Sequence, residues 1–542
     1  MLAAPLLERV LSALDPRGLA AAEAVCSDWR DAVRAAHLWR GFADGEGPLG
    51  GDAAAGRCGG GGGEWGGDTW KAAFVERRAS ARWRAGRVRA AVVLSSHAQA
   101  VTAIDADAAG ASGAAVTASA DGAARLWQLS PPPGREAAVL PHAAPLVAAA
   151  LAGPGLVVTA TAAAAHLWRR AARVRSFPIT SPRTNGSLAR AVVAGTSLLL
   201  ACAGRSLHVY DLYSGSLRLL VRPGEAAGGG GGGSGSGGSI AGGGGGCGGG
   251  GGWTSALAAY EWDPRGGRWA ALVGAAGGAV FAHCVETGRL LWAVHSNCAS
   301  PIAALQISAA PPRLLFGLDA ACQLHAWAVP DEAGAGGGGG GGGAKADRAA
   351  RVGAGAHLAS CRLGAAGIGP PTSLLLPPRG SDCLFAAGWG GVLVVVRAQW
   401  QEAGDGGGDG GSGGGGGRRL SLSVCRTCDL SRLHQPRGSG SSGSISASGS
   451  GTGSTSASCG GGSGSGGSRT AGAGAGASVP LAAAVGGSGR AKAPPDGGRG
   501  GPGPGLAGSQ GGVLSLAMLA GGRLLVGFAD GTVRVLRFGN PD

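Results

Sequence analysis

The first forty residues alternate short apolar stripes with turn signals. The first stripe has the three-to-four-residue spacing of one helix face, at Leu6, Leu7, Val10, Leu11 and Leu14. Asp15-Pro16 ends this helix, because proline disfavours the helical conformation for the residue before it. Two further short helices are predicted, with apolar positions at Leu19, Val25 and Cys26 and at Val33, Leu38 and Trp39. Three short helices with so few apolar residues make a poor independent core, so the pattern predicts a unit that buries its stripe against a partner.

From residue 87 onward, short apolar runs bounded by turn residues predict β-strands. The clearest copy spans 95–129 and contains three strands, with Asp121-Gly122 turning between the second and third. Trp127 closes this copy. The corresponding positions of six fainter copies are Trp168, Tyr210, His283, Trp327, Val395 and Leu536. Without the glycine-rich runs between them, the copies recur about every 40–45 residues, the period of a four-stranded propeller blade. Seven copies predict seven blades, and counts of six or eight stay open.

The segment 87–94 is an apolar strand that has no earlier strand to join. We expect it to form the outermost strand of the last blade, whose own segment ends at Phe538. Such pairing joins the first and last blades and removes the open sheet edge of the ring.

Glycine accounts for 113 of the 542 residues and limits how much of the chain can fold. Gly/Ser-rich runs bury too little apolar surface to offset chain entropy, so they predict flexible, disordered insertions. These insertions are 224–252, 333–355 and 401–509. The predicted order is a helical unit (1–42), a Gly-rich linker (43–68), a helical linker (69–86) and a propeller (87–538). The blades lie near 97–129, 142–170, 188–221, 254–294, 300–329, 371–400 and 510–538.

The net charge of +14 comes almost wholly from arginine, since the chain has only three lysines, Lys71, Lys345 and Lys492. The densest cluster is Arg77, Arg78, Arg82, Arg84, Arg87 and Arg89. It could bind phosphate groups, but it lacks the interleaved aromatic residues of a nucleic-acid platform. We therefore expect a solvated helical linker and no nucleic-acid site. No apolar stretch approaches the roughly 20 residues of a membrane span, and no signal peptide is expected. The predicted location is the cytoplasm, the nucleus or both.

No constellation of nucleophile and base stands out, and no glycine run has the context of a phosphate-binding loop. Cys425, Cys428 and His434 have partial zinc-like spacing, for which Cys459 is the nearest fourth ligand. Two chance cysteines in an insertion explain this spacing better. We expect no metal site, no cofactor and no catalytic residue.

Three blocks of the helical unit resemble the F-box. They are Asp15-Pro16, the run from Val25 to Arg30 (VCSDWR) and Leu38-Trp39-Arg40. The family usually opens with Leu-Pro two residues further upstream, whereas here Leu2-Ala3 occupies that place and the proline is Pro5. This departure concerns the first turn that would contact an adaptor.

The repeats resemble WD-repeats. In the first copy, His97, Asp121 and Trp127 match the hydrogen-bonded network of such blades, and the hydroxyl of the network comes from Thr117 or Ser119, of which we select Ser119. Asp530 matches the turn aspartate in the last copy. Residues 69–87 resemble the helical linker of F-box/WD-repeat proteins. The resemblance covers nearly the whole non-glycine chain, strongly up to Leu129. It implies an α plus all-β fold: a three-helix F-box and helical linker, then a seven-bladed WD-repeat-like β-propeller with Gly-rich insertions.

The resemblance also implies a function, that of a non-catalytic substrate receptor in a cullin-based (SCF) ubiquitin ligase. The partners would be a Skp-type adaptor, a cullin scaffold and a client protein held by the propeller. The implied adaptor face, or the small core behind it, consists of Leu6, Leu7, Val10, Leu11, Leu14, Leu19, Val25, Cys26, Trp29, Leu38 and Trp39.

Some family members read a phosphorylated client with an arginine just before the turn aspartate of a blade. None of the corresponding positions here is basic, and Arg205 is the nearest candidate. The client and its modification state therefore stay open. A propeller scaffold outside any ligase is the alternative, and an RNA-associated role is a distant third.

Overall fold

A computed structural model describes the helical domain, the linker helix and the strands of the propeller. The described residues are 4–35, 38–39, 67–85, 88–94, 97–107, 113–129, 134–179, 188–202, 206–221, 253–264, 266–296, 298, 300–308, 313–330, 356–377, 382–402, 418–430, 511–519 and 522–539. The predicted insertions 224–252 and 333–355 and most of 401–509 lie outside them. Within this part of the chain, no helix is both long and apolar enough to cross a membrane.

Three short helices form the N-terminal unit: α1 (Ala4–Ser12), α2 (Pro16–Ala22) and α3 (Ser27–Ala35). Asp15 caps α2, since its Oδ1 accepts a hydrogen bond of 2.7 Å from the backbone N–H of Gly18. Pro16 starts the helix, where a missing N–H costs nothing. The predicted break at Asp15-Pro16 is therefore confirmed.

A single helix, α4 (Gly67–Ala85), runs from this unit to the propeller. Phe74 of α4 belongs to the helical core, together with Leu11 and Leu19. Trp83, near the other end of α4, belongs to the core formed by the last two blades. One helix thus contributes to both cores.

Seven antiparallel four-stranded sheets follow, so the predicted seven-bladed propeller is confirmed. The bounds of the strands in the first four blades are β2 Val101–Ala106, β3 Ala114–Ser119, β4 Ala123–Gln128 and β5 Arg135–Pro141; β6 Leu146–Gly153, β7 Leu156–Thr161, β8 Ala164–Arg169 and β9 Ala172–Pro178; β10 Leu188–Ala194, β11 Ser197–Cys202, β12 Ser206–Asp211 and β13 Leu217–Val221; β14 Trp253–Asp263, β15 Arg268–Ala275, β16 Ala279–Cys284 and β17 Leu290–His295.

The strands of the last three blades are β18 Ile302–Ile307, β19 Leu314–Asp319, β20 Gln323–Ala328 and β21 His357–Arg362; β22 Pro371–Leu375, β23 Cys383–Gly388, β24 Val392–Glu402 and β25 Arg418–Asp429; β26 Val513–Leu519, β27 Arg523–Phe528 and β28 Val533–Phe538. The innermost strand of each blade contacts the innermost strands of both neighbours, which closes the ring. The cores lie between successive blades, where small alanines and large Leu, Phe and Trp side chains interdigitate.

The ring is closed by β1 (Val88–Val93), which pairs antiparallel with β28 of the seventh blade. The register places Val88 opposite Phe538 and Val93 opposite Arg534. The predicted use of the first strand to complete the last blade is confirmed.

Four outer strands lie outside the blade limits expected from the sequence: β5 and β9 in the first two blades, and β21 and β25 in the fifth and sixth. The fifth blade ends with β21, beyond residue 329. The sixth ends with β25, which lies inside 401–509 and pairs along the whole length of β24. The alternation Leu420, Leu422, Val424 along β25 is a strand pattern that the surrounding glycine and serine obscured.

Candidate functional site

The apolar stripe of the helical domain divides into two faces. Four of the eleven residues of the predicted adaptor set are buried: Leu7, Leu11, Leu19 and Trp39. Leu14, Trp29 and Leu38 are half-buried against the same cluster, and Val33 and Phe74 complete it. The core that three helices could not form alone is closed by an aromatic side chain from α4.

The remaining four residues of that set face outward. Leu6 is 50% exposed, Val10 43% and Val25 63%, and Cys26 is exposed as well. Leu6 and Val10 are four residues apart and so share one side of α1, whereas Leu7 and Leu11 share the adjacent side. Leu6 and Val10 therefore form an exposed apolar surface on one side of α1, a feature at which protein partners bind.

Glu23, at the end of α2, organises the polar contacts behind this surface. Its Oε1 accepts a hydrogen bond of 2.9 Å from the indole nitrogen of Trp39. Its Oε2 forms an ion pair with Lys71 of α4, whose ammonium group also lies over the Trp39 ring. Neither Glu23 nor Lys71 was among the predicted site residues. The rarity of lysine in an arginine-rich chain was the signal that could have singled out Lys71.

The far end of α4 is fixed to the last two blades. The indole nitrogen of Trp83 donates to the carbonyl oxygen of Gly522 at 3.0 Å, and its ring meets Phe385 edge-on at 5.3 Å. Arg84 and Arg397 both bind the Oδ2 of Asp382, at 2.6 and 2.9 Å. The helical domain and the propeller are therefore connected by a helix anchored at both ends.

Some arginines of the cluster predicted along α4 and β1 form structural contacts. Arg84 pairs with Asp382, and the guanidinium of Arg78 lies over the Phe74 ring. Arg82 lines a cavity of about 240 Å³ between α4 and the seventh blade. The side chains of Arg77, Arg87 and Arg89 lie outside the described residues.

The first blade contains the hydrogen-bonded network that its sequence predicts, with one change of residue. The Thr117 hydroxyl, not that of Ser119, links the partners: it accepts from the indole nitrogen of Trp127 at 3.0 Å and lies 2.9 Å from Nε2 of His97. His97 Nδ1 is 3.1 Å from Oδ2 of Asp121. These distances fit a neutral imidazole that donates from Nδ1 to the carboxylate and accepts the threonine hydrogen at Nε2.

The remaining contacts of Asp121 tie the turn together. Its carboxylate accepts the backbone N–H groups of Ala98 and Ala123, both at 2.9 Å. Burial opposes the charge, but these donors and His97 hold the pKa of Asp121 below its usual range. Ser119 lies beside this network: its hydroxyl donates to the carbonyl oxygen of Gln99 and accepts the N–H of Asp121.

The second blade has a shorter version of the network, whose residues were not among those predicted. Thr159 accepts from the indole nitrogen of Trp168 at 2.7 Å and lies 3.1 Å from Nε2 of His142. The run Val158-Thr159-Ala160-Thr161 parallels Val116-Thr117-Ala118-Ser119 and was the available signal. Burial, with His166 and Arg173 nearby, lowers the pKa of His142 to about 4.

The other blades use different contacts at the same positions. In the third blade the Tyr210 hydroxyl donates to the carbonyl oxygen of Pro178 at 2.6 Å. In the fifth, the Trp327 indole donates to the carbonyl oxygen of His295. Asp530 of the seventh blade accepts from the backbone N–H and the hydroxyl of Thr532 and so caps its own turn.

Among the described residues, an arginine of the third blade reaches across the ring to the sixth blade. Arg190, on the innermost strand of the third blade, directs Nη2 toward the carbonyl oxygen of Thr372, on the innermost strand of the sixth, at 3.5 Å. Burial lowers the pKa of this guanidinium. Arg205, the candidate raised by the sequence, lies outside the described residues.

The two cysteines whose zinc-like spacing was attributed to chance lie in a strand and not in a loop. Cys425 and Cys428 both lie on β25, where one is exposed and the other buried, as expected for side chains three residues apart on a strand. His434 and Cys459 lie outside the described part of the chain.

The F-box-like family matches residues 5–43, which cover α1 from its second residue and all of α2 and α3. A comparison with curated proteins finds no match for the chain. An F-box-like domain followed by a seven-bladed β-propeller is the arrangement of F-box/WD-repeat proteins, and this architecture is typical of non-catalytic adaptors.

Proposed function

We propose that this chain, with its F-box-like domain and propeller, is a substrate-recognition subunit of a cullin-based (SCF) ubiquitin ligase. The F-box-like domain would bind a Skp-type adaptor, which in turn contacts the cullin. The propeller would hold a client protein. The chain would supply no catalytic group and would act by proximity, raising the effective concentration of client lysines near the transferring enzyme.

The observation that carries this proposal is the exposure of the apolar side chains Leu6, Val10 and Val25 in the F-box-like domain. Burial of such side chains in an interface contributes about 1.5–3 kcal/mol each. Because the core of the domain is already closed by Phe74, these residues are available to a partner without unfolding the domain.

The rigid connection supports the same role. A receptor must hold its client at a fixed place relative to the ligase, and α4 is anchored at one end by Lys71 and at the other by Trp83.

The nine cysteines in the described residues are free thiols, in keeping with a reducing cytoplasmic or nuclear location.

The test is adaptor binding by the double variant Leu6→Asp with Val10→Asp. It should abolish co-purification of a Skp-type adaptor while leaving the thermal unfolding of the protein unchanged. The matched control is Ser12→Asp, which adds a charge to the side of α1 opposite Leu6 and Val10, at about 100° per residue. The control should bind as the unmodified chain does.

Undiminished adaptor binding by the double variant would place the interface elsewhere. A folded, unmodified chain that binds no adaptor would instead favour a propeller scaffold outside any ligase. Affinity purification with mass spectrometry would report adaptor, cullin and client together and so distinguish the two roles.

A further inference from the structure

A cluster of three side chains with metal-binding groups lies at one end of the fifth blade. Cys298 is in the loop between β17 and β18, Asp319 ends β19, and His325 lies on β20. The thiol sulfur, a carboxylate oxygen and an imidazole nitrogen are all within 4.8 Å of one another. Asp319 and His325 are fully buried, and Cys298 is half-buried.

The cluster occupies the place that the histidine–threonine network holds in the first blade, but it is built differently. Gly317 stands where β3 has Thr117, so no hydroxyl connects the aromatic ring to a histidine. The indole of Trp327 donates instead to the carbonyl oxygen of His295, and its ring stacks on the His325 imidazole at 5.4 Å. Asp319 and His325 therefore contact each other directly, with Asp319 Oδ2 3.3 Å from His325 Nε2.

Each of the three groups is held in place by an outer contact. Asp319 Oδ1 accepts the backbone N–H of Gln323 at 2.8 Å, which leaves Oδ2 directed at the cluster. His325 Nδ1 is 3.3 Å from Nε2 of His357, which leaves Nε2 directed at Asp319. The Cys298 thiol donates to Oε1 of Gln323 at 3.2 Å, and rotation of this amide would present its NH2 group to the sulfur once the thiol has lost its proton. Outer partners that fix the ring and the carboxylate in this way are typical of metal sites.

We infer that Cys298, Asp319 and His325 bind a zinc ion. Thiolate, imidazole and carboxylate groups together suit Zn²⁺ better than Mg²⁺ or Ca²⁺, which prefer oxygen ligands only. Tetrahedral coordination at the usual bond lengths separates ligand atoms by roughly 3.4–3.6 Å, so small side-chain rotations bring the three groups into place. The half-buried Cys298 lies on the side from which the ion and a water molecule as fourth ligand would enter.

Binding involves no redox change. The Cys298 thiol releases its proton to solvent and binds as thiolate. His325 binds through the lone pair of Nε2 and keeps its Nδ1 hydrogen for His357. The ion would fasten the loop before β18 to β19 and β20, a role that is independent of the ligase proposal.

The first experiment measures metal in the full chain. Protein purified without chelators should contain about one zinc per chain by elemental mass spectrometry. After replacement by Co²⁺, a thiolate-to-cobalt absorption band in the near ultraviolet and intense visible bands would indicate tetrahedral coordination with sulfur.

Variants locate the site. Cys298→Ser should remove the thiolate band and weaken zinc binding at least 10-fold, and because Cys298 is half-buried this change should leave the fold intact. His325→Gln should likewise abolish the visible bands. His357→Ala, which removes only the outer partner, should weaken affinity by about 10–100-fold. Cys361→Ser, on the outer strand of the same blade, is the matched control and should bind as the unmodified chain does.

Two results would overturn the inference. A folded full chain that takes up neither zinc nor cobalt would mean that Asp319 and His325 are satisfied by hydrogen bonds alone, with His325 donating from Nε2. Metal content and spectra unchanged in both Cys298→Ser and His325→Gln would place any bound metal elsewhere in the chain. Neither result depends on adaptor binding.

Discussion

Lys71 of the linker helix and Glu23 at the end of α2 form the ion pair that joins the F-box-like domain to α4. Twelve residues further along the same helix, Trp83 packs against Phe385 of the propeller. At 1.5 Å per residue these anchors are about 18 Å apart. A helix fixed at both ends cannot swing freely, so the propeller keeps a defined position relative to α1.

The division of the apolar stripe predicts opposite responses to truncation at neighbouring positions. Leu11→Ala should lower the free energy of unfolding of the helical domain by about 2–5 kcal/mol, because Leu11 is fully buried. Leu6→Ala should change it by less than about 0.5 kcal/mol, because half of this side chain is exposed. Hydrogen exchange of the α1 to α3 amides checks both, and equal losses at the two positions would contradict the division.

Thr117 is expected to matter more to the first blade than Ser119. Thr117→Val keeps the shape but leaves two buried groups, the Trp127 indole nitrogen and His97 Nε2, without their partner. The expected loss in the free energy of unfolding is about 2–4 kcal/mol. Ser119→Ala should cost about 1 kcal/mol. Denaturant unfolding measures the difference, and a larger loss for Ser119→Ala would show that the network depends on the other hydroxyl.

The repeat of this network in the second blade supplies an independent check. Thr159 bridges Trp168 and His142 as Thr117 bridges Trp127 and His97. Thr159→Val should therefore cost a similar 2–4 kcal/mol, and the two valine variants should be additive because they belong to separate blades. A Thr159→Val protein as stable as the unmodified chain would contradict the assigned role.

How much of this molecule the sequence predicts depends on how local each signal is. The ring closure by β1 could be predicted, because an apolar strand at 88–93 has no earlier partner. The blade count could be predicted as well, because the copies keep a spacing of about 40–45 residues even where their residues match the WD-repeat poorly. Both signals are properties of continuous segments.

The sequence did not predict features that depend on contacts between residues far apart in the chain. Leu6 and Leu7 are adjacent and equally apolar, and only the packing of α1 against distant residues such as Val33 and Phe74 leaves Leu7 buried and Leu6 exposed. Thr117 and Ser119 both carry hydroxyls on one side of β3, and the reach of the His97 ring selects between them. Cys298, Asp319 and His325 have no metal-like spacing and meet only because three elements of one blade converge.

Acid should destabilise the second blade through His142. Its pKa in the folded protein, about 4, lies below the ordinary value of 6.5. As the pH falls through 6.5, His142 of the unfolded chain binds a proton that His142 of the folded chain does not yet bind. The free energy of unfolding therefore falls between about pH 6.5 and pH 4, and the stabilisation is fully present above that window. Protonation of Nε2 would also break the hydrogen bond from Thr159. Denaturation midpoints across this pH range should decline less steeply for His142→Gln than for the unmodified chain, and identical slopes would contradict the prediction.

The ion pair at the start of α4 leads to a test of local rather than global stability. Lys71→Met leaves the Glu23 carboxylate largely buried without its cation. It should lower the free energy of unfolding of the F-box-like domain by about 1–2 kcal/mol, which lies between the contributions of exposed and of buried ion pairs. Lys71→Arg, the matched control, keeps the charge and should retain most of the stability. Amide hydrogen exchange should quicken in α1 to α3 for Lys71→Met, while the blades, which Trp83 and Asp382 still hold to α4, exchange as before. If the blades exchanged faster to the same extent, the domain and the propeller would unfold as one unit, and the pair would not be a local fastening.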